Sequence, residues 1–159
     1  MAKVYRSQFT DDYQVHTALL QGLNSGELLV NYIGHGNEEG WRGDIFTLAD
    51  AGALTNRLRL PFVVSMTCLN GFFQDVYSDS LAEALLKARQ GGAVAVWASS
   101  GLTDPDKQAT MNKELVRLLF NGGELTLGEA VKRAKAAVSD QDVRKTWILF
   151  GDPTTRLNQ

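Results

Sequence analysis

The sequence predicts an α/β fold of three layers, in which helices cover both faces of a mainly parallel sheet. Two observations predict it. Apolar runs with strand character alternate along the chain with segments of helical spacing. The apolar runs are continuous, which is typical of parallel strands buried on both faces. With 159 residues, 44% of them hydrophobic, and no repeat or linker, we expect residues 1–159 to form a single domain or a portion of one.

The first half of the chain predicts two helices and two strands. In order they are a helix capped by Thr10 and stopped by Asn24 and Gly26, a buried strand 27–33, a short helix capped by Thr47, and a strand 62–66 opened by Pro61. Acidic residues follow the first cap, where the helix dipole favours negative charge. The alternation of element types indicates crossover connections between parallel strands.

The second half continues the alternation. Its predicted elements are a capped helix from Asp79 closed by Gly91 and Gly92, a buried strand 93–99, a helix started by Asp104 and Pro105 that reaches about Phe120, a helix capped by Thr126, and an extended segment 145–157 with a turn at Gly151 to Pro153. The chain therefore has four strand candidates. Helices separate them, as a doubly covered sheet requires.

Composition excludes several classes of partner. A net charge of −2, from 16 basic and 18 acidic residues that are well mixed, gives no reason to expect nucleic acid or an anionic membrane. No apolar run approaches the roughly 20 residues that span a bilayer, and the first nine residues lack the apolar core of a secretory signal. No metal or cofactor is expected, because His16, His35 and Cys68 form no close pair of zinc ligands. The single cysteine leaves the compartment open.

Two segments, NYIGHGNEEGW and SMTCLNGFF, each place one reactive residue at the carboxyl end of a predicted strand. These residues are His35 and Cys68. If the two strands are parallel neighbours, their tips lie about 5 Å apart. A thiol beside an imidazole is the minimum equipment for nucleophilic catalysis, so the pair indicates a cysteine peptidase in which His35 protonates the departing amine.

Backbone and side-chain groups near this pair are further candidates. The glycines that flank His35 allow close approach of a substrate, and the N–H groups of Gly36 and Cys68 are candidate oxyanion donors. Candidate substrate-binding residues are Trp41, Ser99 and Asp104. Each feature also has a structural interpretation, because glycines make tight turns, a lone cysteine often packs as a small hydrophobe, and large aromatic residues are commonly core.

At the same residues the chain resembles the gingipain family of cysteine peptidases, in the clan that includes caspases. The resemblance rests on Tyr32-Ile33-Gly34-His35-Gly36 followed by Glu38 and Trp41, on Thr67-Cys68-Leu69-Asn70-Gly71 followed by Phe73, and on Phe150-Gly151-Asp152-Pro153-Thr154. It implies a caspase-like fold, a His35–Cys68 dyad, Gly36 as a backbone oxyanion donor, and cleavage of polypeptides, often after a basic residue. It also implies a secreted or cell-surface location.

The sequence departs from this family at its N-terminal side. Full gingipain-type domains carry further strands before the histidine motif, which supply an acid that orients the histidine and an acid in the specificity pocket. Only 34 residues precede His35 here. Three interpretations stay open: the chain is an excised C-terminal part of such a domain, a processed subunit whose partner is its own N-terminal segment or subunit, or a compact relative. Asp11, Asp12 and Asp104 are candidates for a substitute pocket acid.

Two other functions stay open. The chain could be a caspase-like scaffold without proteolytic activity that serves as a protein-interaction module. It could also be a thiol enzyme of the amidotransferase or hydrolase kind, but these place the cysteine on a strand-to-helix elbow between small residues. Met66 stands two residues before Cys68, where that elbow has glycine.

Overall fold

A four-stranded sheet lies between two layers of helices, as the sequence predicts. A computed structural model describes residues 2–121 and 124–157. The strands of the main sheet are β1 (Leu29–Ile33), β4 (Phe62–Met66), β5 (Ala95–Ser99) and β6 (Trp147–Gly151), and a small hairpin is formed by β2 (Gly40–Trp41) and β3 (Phe46–Thr47). The helices are α1 (Asp12–Ser25), α2 (Leu48–Ala53), α3 (Leu81–Lys87), α4 (Pro105–Asn121), α5 (Leu127–Ala136) and α6 (Gln141–Thr146).

The strand order of the main sheet is β1-β4-β5-β6. The first three strands are parallel, and β6 runs antiparallel to β5. The central strands β4 and β5 are buried at every position, whereas β1 and β6 are partly exposed edge strands. The sheet is therefore mainly parallel, and its continuous apolar runs are its central strands.

Each face of the sheet carries its own apolar core. Residues of α4 and α5 pack on one face around Trp97 and Trp147, whose rings meet edge to face at a centroid distance of 5.0 Å. Residues of α1, α2 and α3 pack on the other face, with Val63 and Val96 from the sheet. The two cores fix the central strands, and so fix where their carboxyl ends emerge.

Helix starts follow the capping signals of the sequence at Thr47 and Thr126, whereas α3 is capped by Ser80 rather than started by Asp79 and ends at Lys87, before the predicted stop at Gly91 and Gly92. The side-chain oxygens of Thr47, Ser80 and Thr126 each accept from the backbone N–H three residues later. The carboxylate of that later residue accepts from the N–H of the capping residue, which completes a capping box. At α1 the cap is Asp11 and not Thr10, because the Asp11 carboxylate accepts from the N–H of Gln14 at 2.9 Å. A carboxylate is the stronger acceptor at this end of the helix dipole.

The β2–β3 hairpin and α6 are absent from the sequence-based expectation. Each strand of the hairpin has two residues, too short for any periodicity. Helix α6 takes Lys145 and Thr146 from the segment predicted to be extended, and Asp140 caps it. Within residues 2–121 and 124–157, no helix has the length and apolar character needed to cross a bilayer.

Candidate active site

The ends of β1 and β4 bring the histidine and cysteine segments to one rim of the sheet. Ile33 and Met66 are register partners in this parallel pair, so His35 and Cys68 both lie two residues beyond the last pair. The N–H of Gly34 still donates to the carbonyl of Met66 at 3.3 Å. The spacing between neighbouring strands is about 4.8 Å. The two segments therefore leave the sheet side by side, as the sequence predicts.

The segment that follows β4 makes an abrupt turn around Cys68. Leu69 has a φ of +63°, a left-handed conformation that is rare for a residue other than glycine. Its N–H donates to the carbonyl of Gly101, and the N–H of Asn70 donates to the carbonyl of Cys68 at 2.8 Å. Cys68 is half-buried, and its Sγ lies 3.9 Å from the carbonyl oxygen of Thr103. The turn leaves Cys68 partly exposed between the buried residues Thr67 and Asn70.

The histidine segment is held by its main chain. The carbonyl of His35 accepts from the Tyr32 hydroxyl at 2.7 Å and from the N–H of Arg42 at 2.9 Å. Its imidazole is exposed and makes no hydrogen bond or ion pair with any residue that the structure describes. The backbone of His35 is thus fixed, while its side chain is available to a ligand.

Tyr32 is part of the support beneath this segment. Burial raises the pKa of its phenol above the ordinary value, and the N–H and charge of Arg42 act in the opposite direction. The hydroxyl therefore stays a hydrogen-bond donor near neutral pH. The ring of Tyr32 stacks on Trp41 at a centroid distance of 4.0 Å, with 4° between the planes.

A buried asparagine two residues after the cysteine joins the two segments. Asn70 is 1% exposed, and its Oδ1 accepts from Trp41 Nε1 at 2.9 Å and from Ser65 Oγ at 2.6 Å. Its Nδ2 donates to the carbonyls of Asn37 at 2.6 Å and Gly40 at 3.2 Å. All four hydrogen-bonding positions of the amide are used. Asn70 therefore ties the cysteine segment to the loop that carries His35.

Gly36 and Cys68 present two main-chain donors at the rim. Gly36 forms a bridge with Trp41, but the two hydrogen bonds of that bridge use the carbonyl of His35 and the N–H of Asn37. The N–H of Gly36 therefore faces away from the hairpin. Neither this N–H nor that of Cys68 donates to another residue in the described parts of the chain.

Close packing explains why the position of Gly36 has no side chain. A Cβ there would lie 2.8 Å from the Gly40 oxygen, 3.0 Å from Thr67 Oγ1 and 3.1 Å from Asn70 Nδ2. The Thr67 hydroxyl is buried and has no hydrogen-bond partner among the described residues. The cysteine segment thus packs directly against the backbone of the histidine segment.

The closing segment of the resemblance packs against the other side of the cysteine segment. The ring of Phe150 contacts Phe73 edge to face at a centroid distance of 6.3 Å. A Cβ on Gly71 would lie 2.9 Å from the ring of Phe150, and the Gly71 N–H donates to the carbonyl of Ser99. All three parts of the sequence motif therefore meet around Cys68.

The three candidate substrate-binding residues are placed differently from one another. Trp41 and Ser99 are 2% and 0% exposed, so their contact with a substrate stays a prediction that this burial does not support. Trp41 turns inward because Asn70 and Ser65 accept its indole N–H, and Ser99 Oγ donates to the carbonyl of Gly101. Asp104 is exposed, and its Oδ1 accepts from the N–H groups of Asp106 and Lys107 at the start of α4.

The other acidic candidates lie on α1. Asp11 caps that helix, and Asp12 pairs with Arg6. Sequence reasoning included Asn70 and Tyr32 in the motifs but missed what they do. The signal that could have found them is chemical, because an asparagine beside the candidate nucleophile needs partners for its amide once it is buried.

With this geometry established, the comparisons define the class of the protein. The model of peptidase family C25 matches residues 1–158, and the chain belongs to this family of cysteine-type peptidases. Gingipain R2 of Porphyromonas gingivalis is 30% identical over 149 residues, covering 86% of this chain and 20% of the relative. Gingipain R1 of the same organism is also 30% identical over 149 residues, covering 86% of this chain and 15% of the relative.

Solved structures agree with the fold. The crystal structure of the Arg-specific cysteine proteinase gingipain R (RgpB) matches with a TM-score of 0.82 and 28% identity, covering 89% of this chain and 36% of that one. A complex of the RgpB pro- and mature domains matches with a TM-score of 0.79 and 29% identity, covering 87% and 36%. The fold is thus gingipain-like and caspase-like. The chain spans about a fifth of gingipain R2 and less of gingipain R1.

Proposed function

We propose that this chain carries the catalytic centre of a cysteine endopeptidase, with Cys68 as nucleophile and His35 as general acid and base. The observation that supports it most strongly is the shared rim of β1 and β4. There a partly exposed cysteine and a histidine whose imidazole has no partner among the described residues each lie two residues beyond one register pair. Their main chains are fixed while their reactive atoms are available, which is the arrangement that positioned nucleophiles require.

The proposed reaction proceeds in two steps. The Cys68 thiolate attacks the peptide carbonyl carbon, and the oxyanion that forms is stabilised by the N–H groups of Gly36 and Cys68. His35 gives its proton to the amine nitrogen as the C–N bond breaks, which leaves a thioester on Sγ. Water then attacks the thioester carbon while His35 accepts a proton from it. The C–S bond breaks, and the acid product leaves.

The histidine lacks an orienting carboxylate within the described residues, and we propose that an N-terminal segment or subunit completes the centre. The edge of β1 supports this proposal. Gly34 and Leu28 bond with β4, so Asn31 and Ile33 direct their N–H groups to the edge that no described strand covers. Ile33 is 71% exposed. Hydrogen exchange at Asn31 and Ile33 should slow when the partner binds, whereas Tyr32, bonded to β4, should change little.

Cleavage after arginine or lysine is the finer proposal. The RgpB structure is described as that of an Arg-specific proteinase, and Asp104 is the exposed candidate acid near Cys68. Only Oδ1 of Asp104 is used in capping α4, so Oδ2 has no hydrogen-bond partner in the described parts of the chain. A basic side chain could pair with that oxygen. We also propose a secreted or cell-surface location on the basis of the family.

A fluorogenic peptide library tests the function. Wild type and Cys68→Ala are compared across substrates that differ in the residue before the scissile bond. We expect turnover by wild type, greatest after arginine or lysine, and none by Cys68→Ala. Equal turnover by both proteins would remove Cys68 as nucleophile. If neither cleaves, the assay is repeated with the N-terminal part of the catalytic domain added. Continued inactivity would then favour the scaffold interpretation.

A further inference from the structure

A groove of about 640 Å³ follows the edge of β6, at the opposite edge of the sheet from His35. Helix α5 lines one side of it, and α6 with β6 lines the other. Four of its lining residues are cationic, namely Lys132 and Lys135 on α5 and Arg144 and Lys145 on α6. We call this surface the β6 groove. None of the described residues that line it is acidic.

The backbone of β6 offers hydrogen bonds to this groove. The N–H of Ser100 donates to the carbonyl of Thr146, which sets the antiparallel alternation. Ile148 and Phe150 therefore bond with β5, while Trp147 and Leu149 direct their N–H and C=O groups outward. The N–H of Trp147 donates to the carbonyl of Val143, and the carbonyl of Trp147 accepts from Lys135 Nζ at 2.7 Å. The N–H and C=O groups of Leu149 face the groove.

The cations of the β6 groove are not neutralised by nearby carboxylates. None of the four forms an ion pair within the described parts of the chain. The acids around them are engaged elsewhere or face solvent. Asp140 pairs with Lys107, Asp152 accepts from Thr154, and Asp142 is exposed on α6. Burial, and then the positive charge of Arg144, lower the pKa of Lys135. An anion in the groove would relieve that repulsion.

We propose that the β6 groove binds an extended acidic polypeptide segment, which adds to the sheet as a strand beside β6. The outward N–H and C=O of Leu149 supply main-chain hydrogen bonds, and the four cations supply charge complementarity. Because side chains alternate along a strand, every second residue of such a segment faces α5. Acidic residues at alternate positions would meet Lys132 and Lys135. This site is separate from the proposed peptidase centre, since it uses none of its residues.

The geometry favours a peptide over other polyanions. Nucleic acid and sulfated glycans carry phosphate or sulfate charges but no backbone amides that could pair with the Leu149 edge. The charge of the whole chain, −2, gives no general attraction for them. A peptide can bind both the backbone edge at Leu149 and the four cations. Sensitivity of binding to backbone methylation therefore distinguishes a peptide site from a general polyanion surface.

The test measures binding of a short fluorescent peptide of alternating glutamate and valine by fluorescence anisotropy. The 159-residue chain carries Cys68→Ala, so the proposed peptidase activity cannot consume the probe. We expect saturable binding that weakens with salt. Reversing two charges with Lys132→Glu and Arg144→Glu should weaken it about tenfold or more, equivalent to about 1.4 kcal/mol. Methylating the peptide nitrogens that face β6 should weaken it while leaving its charge unchanged.

Arg133→Glu is the control for Lys132→Glu made alone, because both variants reverse one charge on α5 and only Lys132 lines the groove. It should alter affinity by less than about twofold. Absence of binding, or equal weakening by Lys132→Glu and by Arg133→Glu, would overturn the proposal. Preference for a heparin fragment or single-stranded DNA, together with insensitivity to N-methylation, would identify a general polyanion surface and contradict a strand-binding site.

Discussion

Two strand-end regions of this molecule use their polar groups in opposite ways. At the tips of β1 and β4, hydrogen bonds hold the backbone, while the His35 imidazole and the N–H groups of Gly36 and Cys68 have no described partner. At the tip of β5, Ser99 bonds to its own loop and Asp104 caps α4. In the first region, side chains such as Asn70 form the hydrogen bonds that hold the backbone, and other polar groups stay available. In the second region, the polar side chains are used in local hydrogen bonds.

The largest expected effect comes from removing the imidazole of the first region. His35→Ala should lower kcat on the order of 10⁴-fold, because it removes the proposed proton donor for the leaving amine and the proposed base for water. Turnover of the best library substrate measures it. His16→Ala is the control, since the other histidine bonds to Asp50 between α1 and α2, and its kcat should stay within about twofold. Equal losses in the two variants would contradict a special role for His35.

Asn70→Ala should produce the next largest effect. It removes the amide that joins the two segments, and a displacement of about 1 Å between reacting groups can cost about 100-fold in rate. Asn56→Ala is the control. Asn56 is also buried, but its amide bonds to the backbone of Arg59 and Gly92 and not to the histidine and cysteine segments. Both variants should unfold at lower temperature, yet only Asn70→Ala should lower kcat of the folded protein. If both variants lost kcat in proportion to their loss of stability, Asn70 would have a structural role only.

The sequence predicts the elements of the first region well because their signals are local. Continuous apolar strands and their register place His35 and Cys68 at one rim. It does not predict the inward turn of Trp41, because that depends on Asn70, 29 residues away along the chain. The short β2–β3 hairpin and α6 are fixed by tertiary contacts rather than by periodicity. What local pattern cannot give is the pairing of polar groups across segments.

A methyl group at the donor position tests the close packing of the rim. Gly36→Ala would place its Cβ 2.8 Å from the Gly40 oxygen, so the segment must shift and the N–H with it. We expect kcat to fall by about tenfold to a hundredfold, since an oxyanion donor contributes about that much or more. Gly52→Ala, on an exposed position of α2 with no atom near the new Cβ, should leave kcat unchanged and slightly stabilise the fold.

Asp104 should give the smallest effect and sharpens the contrast between the regions. Asp104→Asn keeps a side-chain oxygen for capping α4 but removes the charge, whereas Asp104→Ala removes both. If the carboxylate also meets a basic substrate, both variants should lose about threefold to fivefold in kcat/KM for arginine over apolar substrates. Only Asp104→Ala should lower Tm. Unchanged preference in both variants would leave Asp104 as a cap alone.

Covalent capture tests the partnership of thiol and imidazole most directly. A peptidyl chloromethyl ketone with arginine at its reactive end is incubated with wild type and with His35→Ala, and the modified residue is located by mass spectrometry. We expect rapid labelling of Cys68 in wild type and much slower labelling in His35→Ala. Labelling of Cys68 at one rate in both proteins, no faster than that of a simple thiol, would contradict the account.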